Sequence, residues 1–292
     1  MQNYEAIDAT FDKIVSGVLE HGSRKFFILV NGSDGVKYQV KLNEVKQRHN
    51  VNEFISHYIG SCSDIPLVSG AFLELDILEL KKIQEAIDSM PKNFYKQVDF
   101  SLNKENLFFG VEWKQHINKI DDERELISRV GETSNKTSLF SLYTFDQFTK
   151  NYDRHLGNHL VVKEGRSKKY YLIDFDRIFA STNWFNLPTD YKCFVPFVAH
   201  PSVQPYHSFL MYIVSDATLK FVHSYAGKLQ SIKTESIKDM CDIISLLYNI
   251  TSIEILNIFR WFEYRRQEIV MECQVNEKYF PRIKKGLYSV SR

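Results

Sequence analysis

The 292-residue sequence has no Cys-x-x-Cys pair, and its four cysteines (Cys62, Cys193, Cys241 and Cys273) lie far apart. That spacing argues against a cysteine-based zinc site and compels no disulfide. Net charge is nearly absent, with 37 basic against 36 acidic side chains, so bulk electrostatics imply neither nucleic acid nor a membrane surface as partner. Long apolar runs are missing too: Phe26 to Val30 is strand-sized, far short of a membrane span. The opening Met-Gln-Asn-Tyr-Glu lacks the basic-then-apolar order of a signal peptide. The expectation is a cytoplasmic chain with no membrane segment. There is no internal repeat and no low-complexity linker. Aromatic residues are plentiful, 22 Phe and 16 Tyr, which suits a well-filled core. The length is enough for a two-lobed unit.

Periodicity divides the chain near residue 115. Before it, Phe11–Leu19, Lys25–Val30 and Val36–Leu42 read as three antiparallel strands, the last two joined by the hairpin signal Asn31-Gly-Ser-Asp-Gly35. A helix is predicted over Asn50–Ile59, a strand over Leu67–Leu75 after Pro66, a helix over 76–90 and a strand over Leu107–Trp113. From about 120 the pattern turns helical. Ser138–Phe148 leads into a polar segment, and two short strands, Leu160–Val162 and Tyr170–Ile173, flank a turn over Lys163–Lys169. Pro188, Pro196, Pro201 and Pro205 rule out a long helix after 180, and 207–286 reads as helical. The expected architecture is α+β: a β-rich N-lobe over 1–115 and a mostly helical C-lobe over 116–292.

The polar segment carries the chemistry. In Asn151-Tyr-Asp-Arg-His-Leu-Gly-Asn158 an aspartate precedes an asparagine by four spacers, and Ile173-Asp174-Phe175 follows. Phosphoryl transfer needs positioning and charge neutralisation more than covalent help. Asp153 is the candidate to orient the attacking hydroxyl. Asn158 and Asp174 are hard-oxygen donors suited to magnesium, which takes few protein ligands. The hairpin starting at Leu160 folds Asp174 back over the loop. Upstream, Lys41 lies in the third strand with Gln39, on the face opposite Tyr38, Val40 and Leu42, where it can reach phosphates and pair with Glu53 of the next helix. Gly22 and Ser23, between the first two strands, can cover phosphates with backbone N–H groups, though a full Gly-x-Gly-x-x-Gly is lacking.

Each residue also has a plainer reading. Asp153 and Asn158 singly suit turns and caps, Lys41 an exposed strand edge, and Glu53 a helix start favoured by the dipole. The combination outweighs these. His155 and His159 stand four apart, but Gly157 between them and a missing third ligand argue against a metal pair. Arg154 could contact a phosphate or brace the loop, and the bracing role is favoured. Trp184-Phe185 and the stretch Ile253–Val270 are read as core.

Tyr-Asp-Arg-His-Leu-Gly-Asn and Leu-Ile-Asp-Phe resemble the HipA-like kinases and, more distantly, phosphatidylinositol kinases. The upstream order is similar too: Val40-Lys41, Asn52-Glu53 opening a helix, Ile65-Pro66 before a strand, then Phe109-Gly110. The resemblance spans roughly 10–180. It implies a two-lobed protein-kinase-like fold, ATP and magnesium (Mg2+) as cofactors, and transfer to a Ser/Thr hydroxyl of a protein substrate, often in toxin–antitoxin settings with an antitoxin or regulatory protein as partner. By position, Asp153 would be the catalytic base, Asn158 and Asp174 the metal ligands, Lys41 the phosphate lysine with Glu53 beside it, and Glu112, Trp113 and Lys114 the neighbours of the adenine. Some relatives autophosphorylate a serine in the phosphate loop, which points to Ser23. Asp176 stands where other kinases have the glycine of Asp-Phe-Gly, so a flip of that triplet is not implied. Two alternatives remain at this level: a kinase of a lipid or small-molecule hydroxyl, for which Lys284-Lys285 would be a meagre membrane-facing patch, and a nucleotide-binding pseudokinase acting through protein contacts.

Overall fold

A computed structural model of the chain describes residues 6–18, 24–44, 48–90, 98–114, 120, 122–151, 154, 156–179 and 216–277. Strand β1 (Ile7–Val18) pairs antiparallel with β2 (Arg24–Gly32), and β2 pairs with β3 (Lys37–Val40). The β2–β3 turn places Gly35 at φ +80, a conformation that costs glycine little and other residues more. Asp34 completes the turn by accepting from Val36 N at 3.0 Å and Tyr38 Oη at 2.7 Å. Two further strands, β4 (Gly70–Leu75) and β5 (Leu107–Glu112), pair antiparallel, and β5 also pairs with β3.

The three antiparallel strands expected from the sequence are thus present, but they belong to a closed barrel of order β1-β2-β3-β5-β4. Closure comes from a short parallel pairing, Ile7↔Leu73 to Ala9↔Leu75. A bulge between Phe11 and Lys13 bends β1. The amide of Phe11 donates to Glu79 Oε2 at 2.6 Å. Glu79 belongs to helix α2 (Ile77–Asp88), which Asp76 caps by accepting from Glu79 N at 2.8 Å. Ile83 and Ile87 of α2 join Ile28, Val30, Val40, Leu73 and Phe108 in one apolar cluster.

Helix α1 (His49–Ser61) contributes Val51, Phe54, Ile55 and Ile59 to a second, larger cluster. That cluster also takes in α3 (Glu123–Gly131), α4 (Leu139–Thr149), the hairpin β6 (His159–Glu164) and β7 (Ser167–Leu172), and the helices α5 (Asp216–Gln230), α6 (Thr234–Leu247) and α7 (Ser252–Glu277). The side chain of Asn50 pairs with the backbone of β5, donating to Phe109 O at 2.7 Å and accepting from Phe109 N at 3.0 Å, and accepts from Tyr248 Oη at 3.0 Å.

Two expectations need correction. The strand predicted over Leu67–Leu75 starts only at Gly70. Leu67 instead bridges Leu172 of β7 in parallel, and Leu172 N donates to Pro66 O at 2.8 Å, because the chain leaving Pro66 is drawn to the hairpin before it reaches the barrel. The turn predicted over Lys163–Lys169 is only Gly165-Arg166, with Gly165 at φ +60. The polar residues around it are paired strand residues, Val162↔Lys169 and Lys163↔Lys168, whose long side chains reach solvent. The proline-bearing stretch after 180, Trp184-Phe185, the ends of the 207–286 region and Lys284-Lys285 lie outside the described residues. Among the described residues no helix is long and apolar enough to cross a membrane.

Candidate active site

A pocket opens between the barrel and the β6–β7 hairpin. Its lining includes Gln39, Lys41, Glu53, Trp113, Ile173 and Asp174. Strand alternation explains the entry of Lys41: Val40 and Leu42 are buried with the barrel cluster, so Gln39 and Lys41 turn to the opposite side.

Lys41 Nζ is held by three carboxylates. It donates to Asp174 Oδ1, lies 3.1 Å from Glu53 Oε2 and 3.4 Å from Asp176 Oδ1. Burial works against its charge, but Asp174, Asp176 and Glu53 together raise it above its ordinary value. Burial pushes Asp174 up to about 6, with Lys41 opposing and Asp176 adding to the rise. Asp176 moves the other way. Burial would raise it as well, yet Lys41 and His49 hold it well below the usual carboxylate range. His49 Nδ1 sits 2.8 Å from Asp176 Oδ2 and His49 Nε2 3.4 Å from Glu44 Oε1. Against the opposing effect of burial, these two carboxylates raise His49 to about 9. Glu53 is lowered by Lys41 and His57, again against burial.

One face of α1 therefore grips the segment after β7. Besides His49 on Asp176, Asn52 Nδ2 donates to Asp176 O at 2.8 Å, Glu53 Oε2 accepts from Phe175 N at 3.2 Å and Ser56 Oγ donates to Phe175 O at 3.4 Å. These residues recur at i, i+3, i+4 and i+7, the spacing of one helical face. Asp174 itself takes φ 68, a left-handed conformation in which aspartate is enriched relative to most side chains.

Ahead of β6, Arg154 ties α4 to the start and exit of the hairpin. Its guanidinium makes a forked pair with Asp146 of α4, Nε to Oδ2 and Nη2 to Oδ1 at 2.8 Å each. Nη1 donates to Ile173 O at 2.7 Å and to Asn158 O at 3.3 Å, and the group lies 4.6 Å from the Phe175 ring centroid. Asn158 O in turn accepts from Ile173 N at 3.3 Å. The buried Asn158 and the pocket-lining Asp174 are thus held at the base of one hairpin. His159 is packed rather than ligating: its Nδ1 lies 2.7 Å from Tyr170 Oη.

At the other end of the pocket, β5 delivers Glu112, Trp113 and Lys114 to the lining. Trp113 is 39% exposed and packs on Phe27 at 5.6 Å between ring centroids. Lys114 Nζ joins Glu112 at 2.9 Å and Glu164 of β6 at 3.4 Å, so an ion pair spans from barrel to hairpin.

The pocket lining brings together Lys41, Glu53, Asp174, Glu112, Trp113 and Lys114, while Asn158 is buried beside Ile173 at the base of the hairpin and is not part of that lining. Asp153, Gly22 and Ser23 lie outside the described residues. Sequence reasoning missed His49 and Ser56, and read Asn52 and Asp176 only as motif letters. The signal was there: in His-Asn-Val-Asn-Glu-Phe-Ile-Ser, the polar residues 49, 52, 53 and 56 recur at the spacing of one helical face, while Val51, Phe54 and Ile55 face elsewhere. Asp146 was missed because nothing in a helix marks one carboxylate as the partner of an arginine eight residues on.

A profile described as HipA-like kinase matches residues 13–196, more than half of the chain. Among solved structures, the proinflammatory kinase CtkA of Helicobacter pylori aligns at TM-score 0.53 and 10% identity, covering 93% of this chain and 99% of that one. HipA of Shewanella oneidensis MR-1, solved with HipB and operator DNA, aligns at TM-score 0.44 and 10% identity over 91% of this chain and 63% of that one. No match was found among curated proteins. At such identities the likeness to CtkA is one of fold, and the profile match carries the family: the chain belongs to the HipA-like kinases.

Proposed function

We propose that this HipA-like kinase transfers the γ-phosphoryl group of ATP to a Ser/Thr hydroxyl of a protein. One observation carries the reading: Lys41, Glu53 and Asp174, from a strand end, a helix and a hairpin exit, converge in a single pocket. Bound ATP would supply the phosphoryl group, and magnesium would neutralise its oxygens. The residues fit that pair. Asp174 and Asn158 offer hard oxygens, and three carboxylates around one ammonium favour added positive charge.

In this reading Lys41 binds the phosphates while Glu53 fixes its direction. Asp174 and Asn158 hold the metal, with Arg154 keeping their backbones in register. Asp153 orients the acceptor hydroxyl. Glu112, Trp113 and Lys114 border the base, and Gly22 and Ser23 belong to the phosphate-covering loop. The barrel with α1 and α2 forms an N-lobe up to about 115 and the remainder a C-lobe. The smaller apolar cluster, confined to residues before 115, supports this division, while the larger one crosses the boundary through α1, Ile65, Phe72, Leu102 and Phe109. Family membership supports a protein acceptor and an antitoxin or other regulatory partner, and the cytoplasmic setting is the expectation read from the sequence.

The test is Asp153→Asn in pure protein with ATP and magnesium. Transfer should vanish while ATP still binds. Turnover equal to the unaltered protein in that variant would overturn the assignment of Asp153.

A further inference from the structure

The family profile ends at residue 196, yet a buried ionic cluster on α7 acts on the helix that feeds the catalytic loop. Arg265 and Glu272 stand seven apart on α7 and are almost wholly buried. Both guanidinium ends of Arg265 contact the Glu272 carboxylate. Arg265 Nε also donates to Phe148 O at 3.0 Å and Nη2 to Gln147 O at 2.9 Å. Glu272 Oε2 further accepts from Gln147 Nε2 at 3.0 Å and lies 3.5 Å from Lys150 Nζ.

These contacts converge on the last turn of α4, whose final carbonyls have no intrahelical partners. There the chain bends sharply. Lys150 takes φ 53, which costs a residue with a side chain on the order of 1 kcal/mol. Lys150 N donates to Gln147 O at 3.4 Å and Asn151 N to Asp146 O at 2.9 Å, the paired bonds that end a helix in a left-handed residue. Asp153 follows two residues later.

We infer that Arg265 and Glu272 are positioning residues for phosphoryl transfer: by fixing the end of α4 they set where the loop carrying Asp153 leaves the helix. The ion pair by itself adds little net stability, because apolar residues of similar volume often replace a buried pair at no loss. An apolar side chain cannot donate to the carbonyls of Gln147 and Phe148. The pair thus trades nothing in packing for control of direction, and a misplacement of about 1 Å at a reacting group costs on the order of a hundredfold in rate.

This inference rests on the kinase reading, so the experiment separates the two. The double variant Arg265→Met/Glu272→Met is compared with the unaltered full chain in ATP and magnesium. Its urea midpoint should fall, because the carbonyls of Gln147 and Phe148, the Gln147 side-chain amide and the Lys150 ammonium lose buried partners. Its kcat should fall roughly 10–100-fold with KM for ATP unchanged, and the amides of 147–158 should exchange hydrogen faster while those of the barrel do not change. Arg265→Lys, which keeps the charge and some donors, should recover part of the rate. An unchanged kcat, or a fall in kcat with hydrogen exchange quickened throughout the barrel rather than at 147–158, overturns the inference. If the unaltered chain shows no turnover, the kinase reading fails. Hydrogen exchange at 147–158 still decides the brace, and unchanged exchange there overturns it.

Discussion

Among single residues, Asp176 departs furthest from kinase habit. A glycine at this place would give the segment freedom to turn over. The aspartate gives it two partners instead, Lys41 at 3.4 Å and His49 at 2.8 Å. The histidine makes this arrangement readable by pH. Its folded value of about 9 stands above the ordinary 6.5, so the folded state holds its proton more tightly than the unfolded chain. The stabilisation is complete below about pH 6.5 and is lost as pH rises through 9. It amounts to at most about 3 kcal/mol. The unaltered chain should lose urea stability between pH 6.5 and 9.5, and His49→Gln should show a much flatter profile over that window. The meeting of Lys41, Glu53 and Asp174 in one pocket was legible in the sequence, because phosphate binding with a metal would need those types in that order. His49 was not, since its role depends on which helical face meets a segment 127 positions later, counting from 49 to 176.

Among the elements, the described residues between α4 and β6 combine the side-chain contacts of Arg154 with a 3-10 turn over Leu156–Asn158. Arg154 and Asp146 are both fully enclosed, and their forked geometry satisfies charge and direction together. Removing one partner strands the other. Arg154→Ala should therefore destabilise the fold by about 3–5 kcal/mol, measured by urea unfolding. Arg154→Lys should recover little, because an ammonium cannot make the fork. The sequence placed Arg154 as a brace correctly but not its anchor. Element boundaries were legible where periodicity and turn residues agreed, as for α1 and for the β2–β3 hairpin. They slipped where a long-range contact won, as at Leu67, which left the barrel ladder for Leu172.

Across the whole molecule, closure of the barrel was the feature least visible in advance. A parallel pairing between residues 7–9 and 73–75 leaves no local trace, because neither turn chemistry nor alternation links strands so far apart. The larger core is knit by polar as well as apolar contacts, and Asn50 is the meeting point of α1, β5 and Tyr248. Tyr248→Phe removes one bond and should cost about 1 kcal/mol. Asn50→Ala leaves the Phe109 amide and carbonyl without their buried partner and should cost more than about 2 kcal/mol. Urea midpoints measured side by side would rank the two, and equal losses would contradict the hub role of Asn50.

The hydrogen bond from Leu172 to Pro66 O has a consequence for control of the enzyme. It stitches the chain just past the end of α1 to the same hairpin exit that His49 and Asn52 fasten near its start. A helix tied down at both ends cannot serve as a swinging lever. In the proposed kinase, an outward rotation of α1 would have to break both attachments at once.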